Sequence, residues 1–253
     1  MNIIFYNSKK GVYKMNILAI GNSFSQDATR YLHQIARADG VDIQVINLYI
    51  GGCPLSRHYR NMLSEEKAYS SELNGCYTGF SVSLKEALLS RDWDYITFQQ
   101  VSSQSPDYNT YQPYLGELSA YVKKLSPKAK QLIHQTWAYE KDSARLCTEL
   151  GYKTPADMLC DIKKAYQMAE NEIGAQFTIP SGELFGNMLA NGIDSVHRDT
   201  FHARLGLGRY ALGLLWYRAF TGKDVTGNTF RDFDEPVSEE DILIIKKFVN
   251  SAV

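Results

Sequence analysis

The sequence predicts a single α/β domain whose parallel sheet is covered on both faces by helices. Three observations carry this. Short apolar runs each stop at a turn or polar residue, helical patterns separate them, and no internal repeat, low-complexity tract or linker interrupts the 253 residues. Strands alternating with helices build parallel βαβ units, and the crossovers put helices on the sheet faces. An α/β fold of this length commonly stays undivided. The expected domain is 1–253, with a core over about 15–220 and a C-terminal helix over about 238–253.

The first strand is the apolar run Asn16-Ile17-Leu18-Ala19-Ile20, which stops at Gly21. A run of that kind bounded by a turn residue reads as a buried strand. Ala28, Tyr31, Leu32, Ile35 and Ala36 then recur at helical spacing, and Gly40 supplies the stop. Residues 43–48 form the second strand, ending near Gly51-Gly52. A long polar, tyrosine-bearing region follows and closes with a helix N-capped by Ser83. Asp94–Phe98 is the third strand, a helix runs around 110–125, and residues 130–136 are the fourth strand. Pro155 opens a long amphipathic helix to about Ile173, as proline does in a first helical turn. Ala175–Ile179 is the fifth strand. Helices then run from about Leu205 to Phe220 and from Ser238 onward, the last with a Ser-x-x-Asp start at Ser238 and Asp241.

Composition narrows the function classes. Lys and Arg number 27 against 28 Asp and Glu, a net charge of −1, so no global basic field holds nucleic acid and no polybasic anchor holds a membrane. Hydrophobic residues at 44% exclude wholesale disorder. The four cysteines, Cys53, Cys76, Cys147 and Cys160, are scattered with no spacing that suits zinc. No apolar run reaches the roughly 18 residues of a membrane span. The opening MNIIFYNSKK lacks the pattern of a secretory leader, and Met-Asn-Ile recurs at Met15 as a second candidate start. The default compartment is the cytoplasm, with a periplasmic or secreted location if the start is misassigned or trimmed. Tyrosine is abundant, at 17 residues; such rings serve half-buried packing as well as sugar stacking.

Ligands of open parallel sheets bind beyond the carboxyl ends of the strands, which directs attention to four segments. After the first strand stands Gly21-Asn22-Ser23-Phe24-Ser25. Ser23 there reads as a nucleophile over the amides of a helix start, or as the cap of a Ser-x-x-Gln box with Gln26; Ser25 is a further cap candidate. Asp199 and His202, three apart, let a carboxylate hold one imidazole nitrogen and leave the other for a serine proton. With His197 they offer a His/Asp/His metal reading, for which three ligands are thin support. His33 and His134 read as structural. Gly52 bears a backbone amide open to a ligand or simply makes a turn. His58 lines the pocket or not, and one of Gln99 and Gln100 offers an amide to an oxyanion, since successive strand side chains point to opposite faces. Gln100 is favoured over Gln99.

Together these segments resemble the SGNH (GDSL-type) hydrolase superfamily. The stretches LAIGNSFSQDA, LYIGGCPLSRHY, ITFQQVSSQS and FHARLGLGRYA are more closely similar to the family DUF4886. The resemblance implies a flavodoxin-like three-layer α/β/α sandwich with a five-stranded parallel sheet. It also implies a serine esterase acting on a small-molecule or glycan ester, often an acetyl group on a carbohydrate. Ser23 matches the nucleophile, Asp199 and His202 the acid and base, and Gly52 an oxyanion amide. No metal or organic cofactor is called for. Two departures stand out: Gly-Asn-Ser replaces Gly-Asp-Ser, and Gln99-Gln100 replaces a Gly-x-Asn-Asp block. A rival reading is a non-catalytic carbohydrate-binding module in which Tyr108, Tyr111, Tyr114 and Trp137 stack on sugars. A phosphate- or nucleotide-binding reading lacks a glycine-rich loop with lysine.

Overall fold

A computed structural model describes residues 14–253; the segment read as lacking a leader, before residue 14, lies outside them. β1 (Lys14–Gly21) is buried almost continuously, as a strand covered on both faces must be. It leads into α1 (Ser23–Thr29) and α2 (Leu32–Ala38), then β2 (Asp42–Tyr49) and α3 (Leu55–Ser64). β3 (Tyr69–Leu73) and β4 (Cys76–Val82) form a hairpin, followed by α4 (Leu84–Leu89) and β5 (Tyr95–Phe98). α5 (Tyr114–Leu125), β6 (Lys130–His134), α6 (Pro155–Ile173), β7 (Thr178–Ile179) and α7 (Ser181–Ala190) complete the α/β part. α8 (Leu207–Thr221) and α9 (Glu239–Ala252) close the chain.

The sheet has seven strands in the order β4-β3-β2-β1-β5-β6-β7. It is mixed, which corrects the expected five-stranded parallel sheet: β2 pairs antiparallel with β3 and β3 with β4, while the other pairs are parallel. The added hairpin occupies the polar region before Ser83. Its strands read YSSEL and CYTGFSV, too polar for an apolar run, because they lie toward a sheet edge. The overlooked signal was the turn Asn74-Gly75, with both residues at positive φ (53° and 81°), as a two-residue hairpin requires.

Crossovers from β1 to β2 and from β5 to β6 step in opposite directions along the sheet. With right-handed connections, this sends their helices to opposite faces. α1, α2, α8 and α9 accordingly pack with one another, and α3, α4, α5 and α6 do likewise. The direction changes between neighbours β1 and β5, and their carboxyl ends flank the crevice where such sheets bind ligands. Among the described residues no helix is long and apolar enough to cross a membrane.

Local capping follows the expected chemistry in three places. Ser83 and Glu86 make a capping box, Thr154 caps the helix that Pro155 opens, and Ser238 caps α9. The single helix expected up to Gly40 is two helices, broken at Tyr31. The Tyr31 hydroxyl donates to Leu205 O at 2.7 Å and accepts from Asp234 N at 2.7 Å, so a tertiary contact sets the break.

Candidate active site

The site grows from the end of β1. Gly21 is followed by Asn22, the N-cap of α1, whose side-chain oxygen accepts from Phe24 N at 3.0 Å. Ser23 is therefore the first helical residue and not the cap. Neither alternative for this turn holds: Gln26 reaches Glu72 instead of returning to Ser23, and Ser25 Oγ lies 2.8 Å from Asn22 O and 2.7 Å from Asn47 Oδ1. The Ser23 hydroxyl is left for another partner.

That partner arrives from the far end of the chain on a tight hairpin. His197 and Ala203 form an antiparallel bridge, and Arg198 N donates to His202 O at 2.9 Å. Thr200 at its tip has φ 72°, a left-handed conformation that β-branched residues rarely adopt. It is held there by Glu140 N donating to Thr200 O at 2.7 Å and Trp137 Nε1 donating to Phe201 O at 2.7 Å. The turn sets Asp199, itself exposed, against His202. Asp199 accepts from His202 N at 2.9 Å and His202 Nδ1 at 2.8 Å. A proton on Nδ1 leaves Nε2 as an acceptor, and Nε2 lies 2.8 Å from Ser23 Oγ. Burial works to raise the Asp199 carboxyl, but the two bonds from His202 outweigh it and hold the group below its ordinary value. Phe201 packs on the imidazole with ring centres 3.9 Å apart, and Phe24, stacked on Trp137 at 4.1 Å, forms a second wall.

Parallel pairing of Gly21 with Tyr49 brings the turn after β2 beside Asn22. Gly52 there is exposed with φ 60°, and Asn22 Nδ2 donates to Cys53 O at 3.2 Å, joining the two turns. Gln99, just past β5, donates from Nε2 to Asn22 Oδ1 at 2.8 Å, and its Oε1 lies 3.0 Å from His134 Nδ1. Burial lowers His134 to about 3, so the ring is neutral and donates to Gln99.

Gln100 requires a correction. Its Oε1 accepts from Leu55 N and Val101 N, each at 2.9 Å, and its Nε2 donates to Thr110 O at 3.0 Å. It pins α3 to the loop before α5; Gln99 is the glutamine linked to the Ser23 turn. His58 also leaves the pocket-lining role. It is fully buried, its Nδ1 lies 2.9 Å from Tyr69 Oη, and burial lowers it to about 3. His197 Nε2 donates to Ala138 O at 3.0 Å, and its ring lines a cavity of about 600 Å³ with Phe185, Leu159 and Leu189. None of Ser23, Asp199 and His202 lines that cavity. Of the four rings read as a sugar-stacking surface, Tyr111 and Trp137 are buried and take no part in one, while Tyr108, bonded to Glu172, and Tyr114, packed on Tyr59, are half-buried.

Sequence reading missed three residues around the site: Asn22 as the cap, and Asp27 with Arg198, which join α1 to the hairpin. Asn22 carried a readable signal, since asparagine directly before a helix is a favoured N-cap. Asp27 and Arg198 are 171 residues apart, and no local pattern pairs them.

Several solved structures have similar folds. A DUF4886 family protein from Bacteroides uniformis ATCC 8492 is 31% identical, with 95% of each chain covered and a TM-score of 0.85. A candidate SGNH hydrolase from Slackia heliotrinireducens is 21% identical, covering 82% of this chain and 100% of that one, with a TM-score of 0.59. The acetyl xylan esterase AlAXEase is 14% identical, covering 81% and 99%, with a TM-score of 0.53. The last two establish likeness of fold. A comparison with curated proteins gives no match. The family model described as "Domain of unknown function (DUF4886)" matches residues 16–249, and the chain belongs to that family, on an α/β fold similar to that of SGNH hydrolases.

Proposed function

We propose that the protein is a serine esterase that cleaves an acetyl ester on a carbohydrate through an acyl-enzyme. The observation that carries this reading is the unbroken hydrogen-bond chain from Asp199 through His202 to Ser23. His202 Nε2 takes the Ser23 proton as Oγ attacks the ester carbonyl, and Asp199 stabilises the imidazolium. The oxyanion is held by the backbone amides of Ser23 and Gly52, with Asn22 and Gln99 fixing the two turns relative to each other. The tetrahedral intermediate collapses as His202 protonates the leaving alcohol. Water, deprotonated by His202, then attacks the acyl carbonyl and releases the acid and free Ser23. Loss of one oxyanion donor typically costs about 10²–10³ in turnover, so the spacing of these turns matters alongside the triad.

An acetyl group on a sugar is favoured because the same fold carries an acetyl xylan esterase. The test combines a fluorophosphonate probe with a panel of acetylated glycans and small acetyl esters. Ser23 is expected to be the labelled residue, and Ser23→Ala to lose labelling and ester cleavage while keeping the wild-type melting temperature within a few degrees. A wild-type protein that neither labels nor releases acetate, or a Ser23→Ala protein of full activity, overturns the reading.

A further inference from the structure

Asp27 lies one helical turn after Ser23 on α1 and is fully buried. Its carboxylate accepts Arg198 Nη1 at 3.0 and 2.9 Å, Arg209 Nε at 2.8 Å and Ala203 N at 3.1 Å. Arg198 immediately precedes Asp199, and Ala203 immediately follows His202. The two ends of the turn bearing the acid and the base are thus fastened to one carboxylate on the helix bearing the nucleophile. Arg198 also donates to Ala203 O, closing the hairpin across its base.

We infer that Asp27 and Arg198 are positioning residues that set the His202–Ser23 distance; the inference rests on the esterase reading. Beside the ring contacts of Phe24 with Phe201 and His202, the bonds of Arg198 and Ala203 to Asp27 are the polar bonds that join the two elements below the Ser23–His202 contact. Ser23 and Asp27 are four apart, so they share a helix face, and the hairpin meets that face at both levels: His202 at Ser23, Arg198 and Ala203 at Asp27. A buried carboxylate fixed by several charge-assisted bonds has little freedom to move. A misplacement of about 1 Å in a reacting group costs on the order of 10²-fold in rate. The chain of ion pairs continues away from the site, from Arg209 to Asp234 at 2.7 Å and from Asp234 to Arg30 at 2.6 Å. Its outer end therefore supplies a structural comparison that leaves the hairpin untouched.

The experiment uses Arg198→Gln, Arg198→Lys and Arg30→Gln in the full chain. Asp27 itself is left in place, because removing it takes away the shared acceptor of Arg198, Arg209 and the Ala203 amide at once. Melting temperature, kcat and KM on an acetyl ester, and the rate of fluorophosphonate labelling are measured on each. Arg198→Gln is expected to lower kcat and the labelling rate together by at least tenfold, with KM within twofold. Arg198→Lys recovers part of the loss, since lysine keeps the charge but not the planar fork. Arg30→Gln lowers the melting temperature with kcat within twofold of wild type. Labelling by Arg198→Gln at the wild-type rate overturns the inference, as does an equal kcat loss in Arg30→Gln at an equal melting temperature. If the wild-type protein does not label at all, the esterase reading fails separately, and positioning is read from the His202 ring by ¹⁵N NMR. A hydrogen-bonded Nδ1–H signal unchanged in Arg198→Gln then counts against the inference, and its loss supports it.

Discussion

His202 meets its two partners by different routes. Asp199 is supplied locally, three residues away across a strained turn, whereas Ser23 comes from 179 residues earlier in the chain. The left-handed Thr200 costs about 1–3 kcal/mol and is held by bonds from Glu140 and Trp137. Gln99 and Gln100 show how one residue of register decides a role. Both are buried, yet one bonds Asn22 and the other bonds Leu55 and Thr110. Gln99→Ala is expected to lower kcat at least tenfold, about 1.4 kcal/mol of transition-state stabilisation, by freeing the Asn22 side chain. Gln100→Ala should lower the melting temperature and leave kcat within about threefold. Steady-state kinetics with thermal unfolding checks both, and the opposite ranking refutes the assignment.

At the scale of elements, the β3–β4 hairpin is the least visible part of the sheet in the sequence and depends on one glycine. Gly75 has φ 81°, and a Cβ there would overlap the Arg30 carbonyl oxygen, while Arg30 Nη1 donates to Gly75 O at 3.0 Å. Gly79, in β4, has a similar φ of 82° but open space around it. Gly75→Ala should therefore cost clearly more stability than Gly79→Ala. The latter carries only the backbone penalty of about 1 kcal/mol. Urea unfolding of the two variants measures the difference, and equal losses would mean that the turn moves away from α1 freely. The hairpin also touches the site's support, because Glu72 on β3 receives Asn47 Nδ2 at 2.7 Å and Asn47 in turn bonds Ser25.

For the whole molecule, three buried histidines give stability a specific pH dependence. Burial lowers His58 and His134 to about 3 and His197 to about 4, against about 6.5 in an unfolded chain. Below about pH 6.5 the unfolded chain binds protons that the folded chain refuses, so stability is fully present near neutrality and falls as pH drops toward 4 or 3. Each histidine contributes a slope of up to about 1.4 kcal/mol per pH unit in that window. Asp199 and Asp234 are held low, Asp234 at about 2 through its bonds to Arg30 and Arg209, and lose their stabilisation in the same direction. Unfolding free energies measured between pH 7 and 5 should decline steeply; a flat profile would show that these histidines are protonated in the folded protein.

The sequence by itself determined the parallel heart of the sheet, the helix caps Ser83 and Ser238, the proline start of α6 and the segments that meet at the site. Buried strands need apolar runs, caps need a few side-chain types at fixed offsets, and the connection rules put strand ends together. Asp199 and His202 were legible because they stand three apart in one turn, and Ser23 because it directly follows the first strand in a segment whose family pattern is distinctive. Tertiary structure alone decided the rest. An edge hairpin carries little apolar signal, a one-residue shift at a strand end exchanges Gln99 with Gln100, and burial moved His58 and Trp137 out of the roles their chemistry suggested. The pairing of Asp27 with Arg198 had no sequence signal, because a contact across 171 residues is fixed by packing and not by any local spacing.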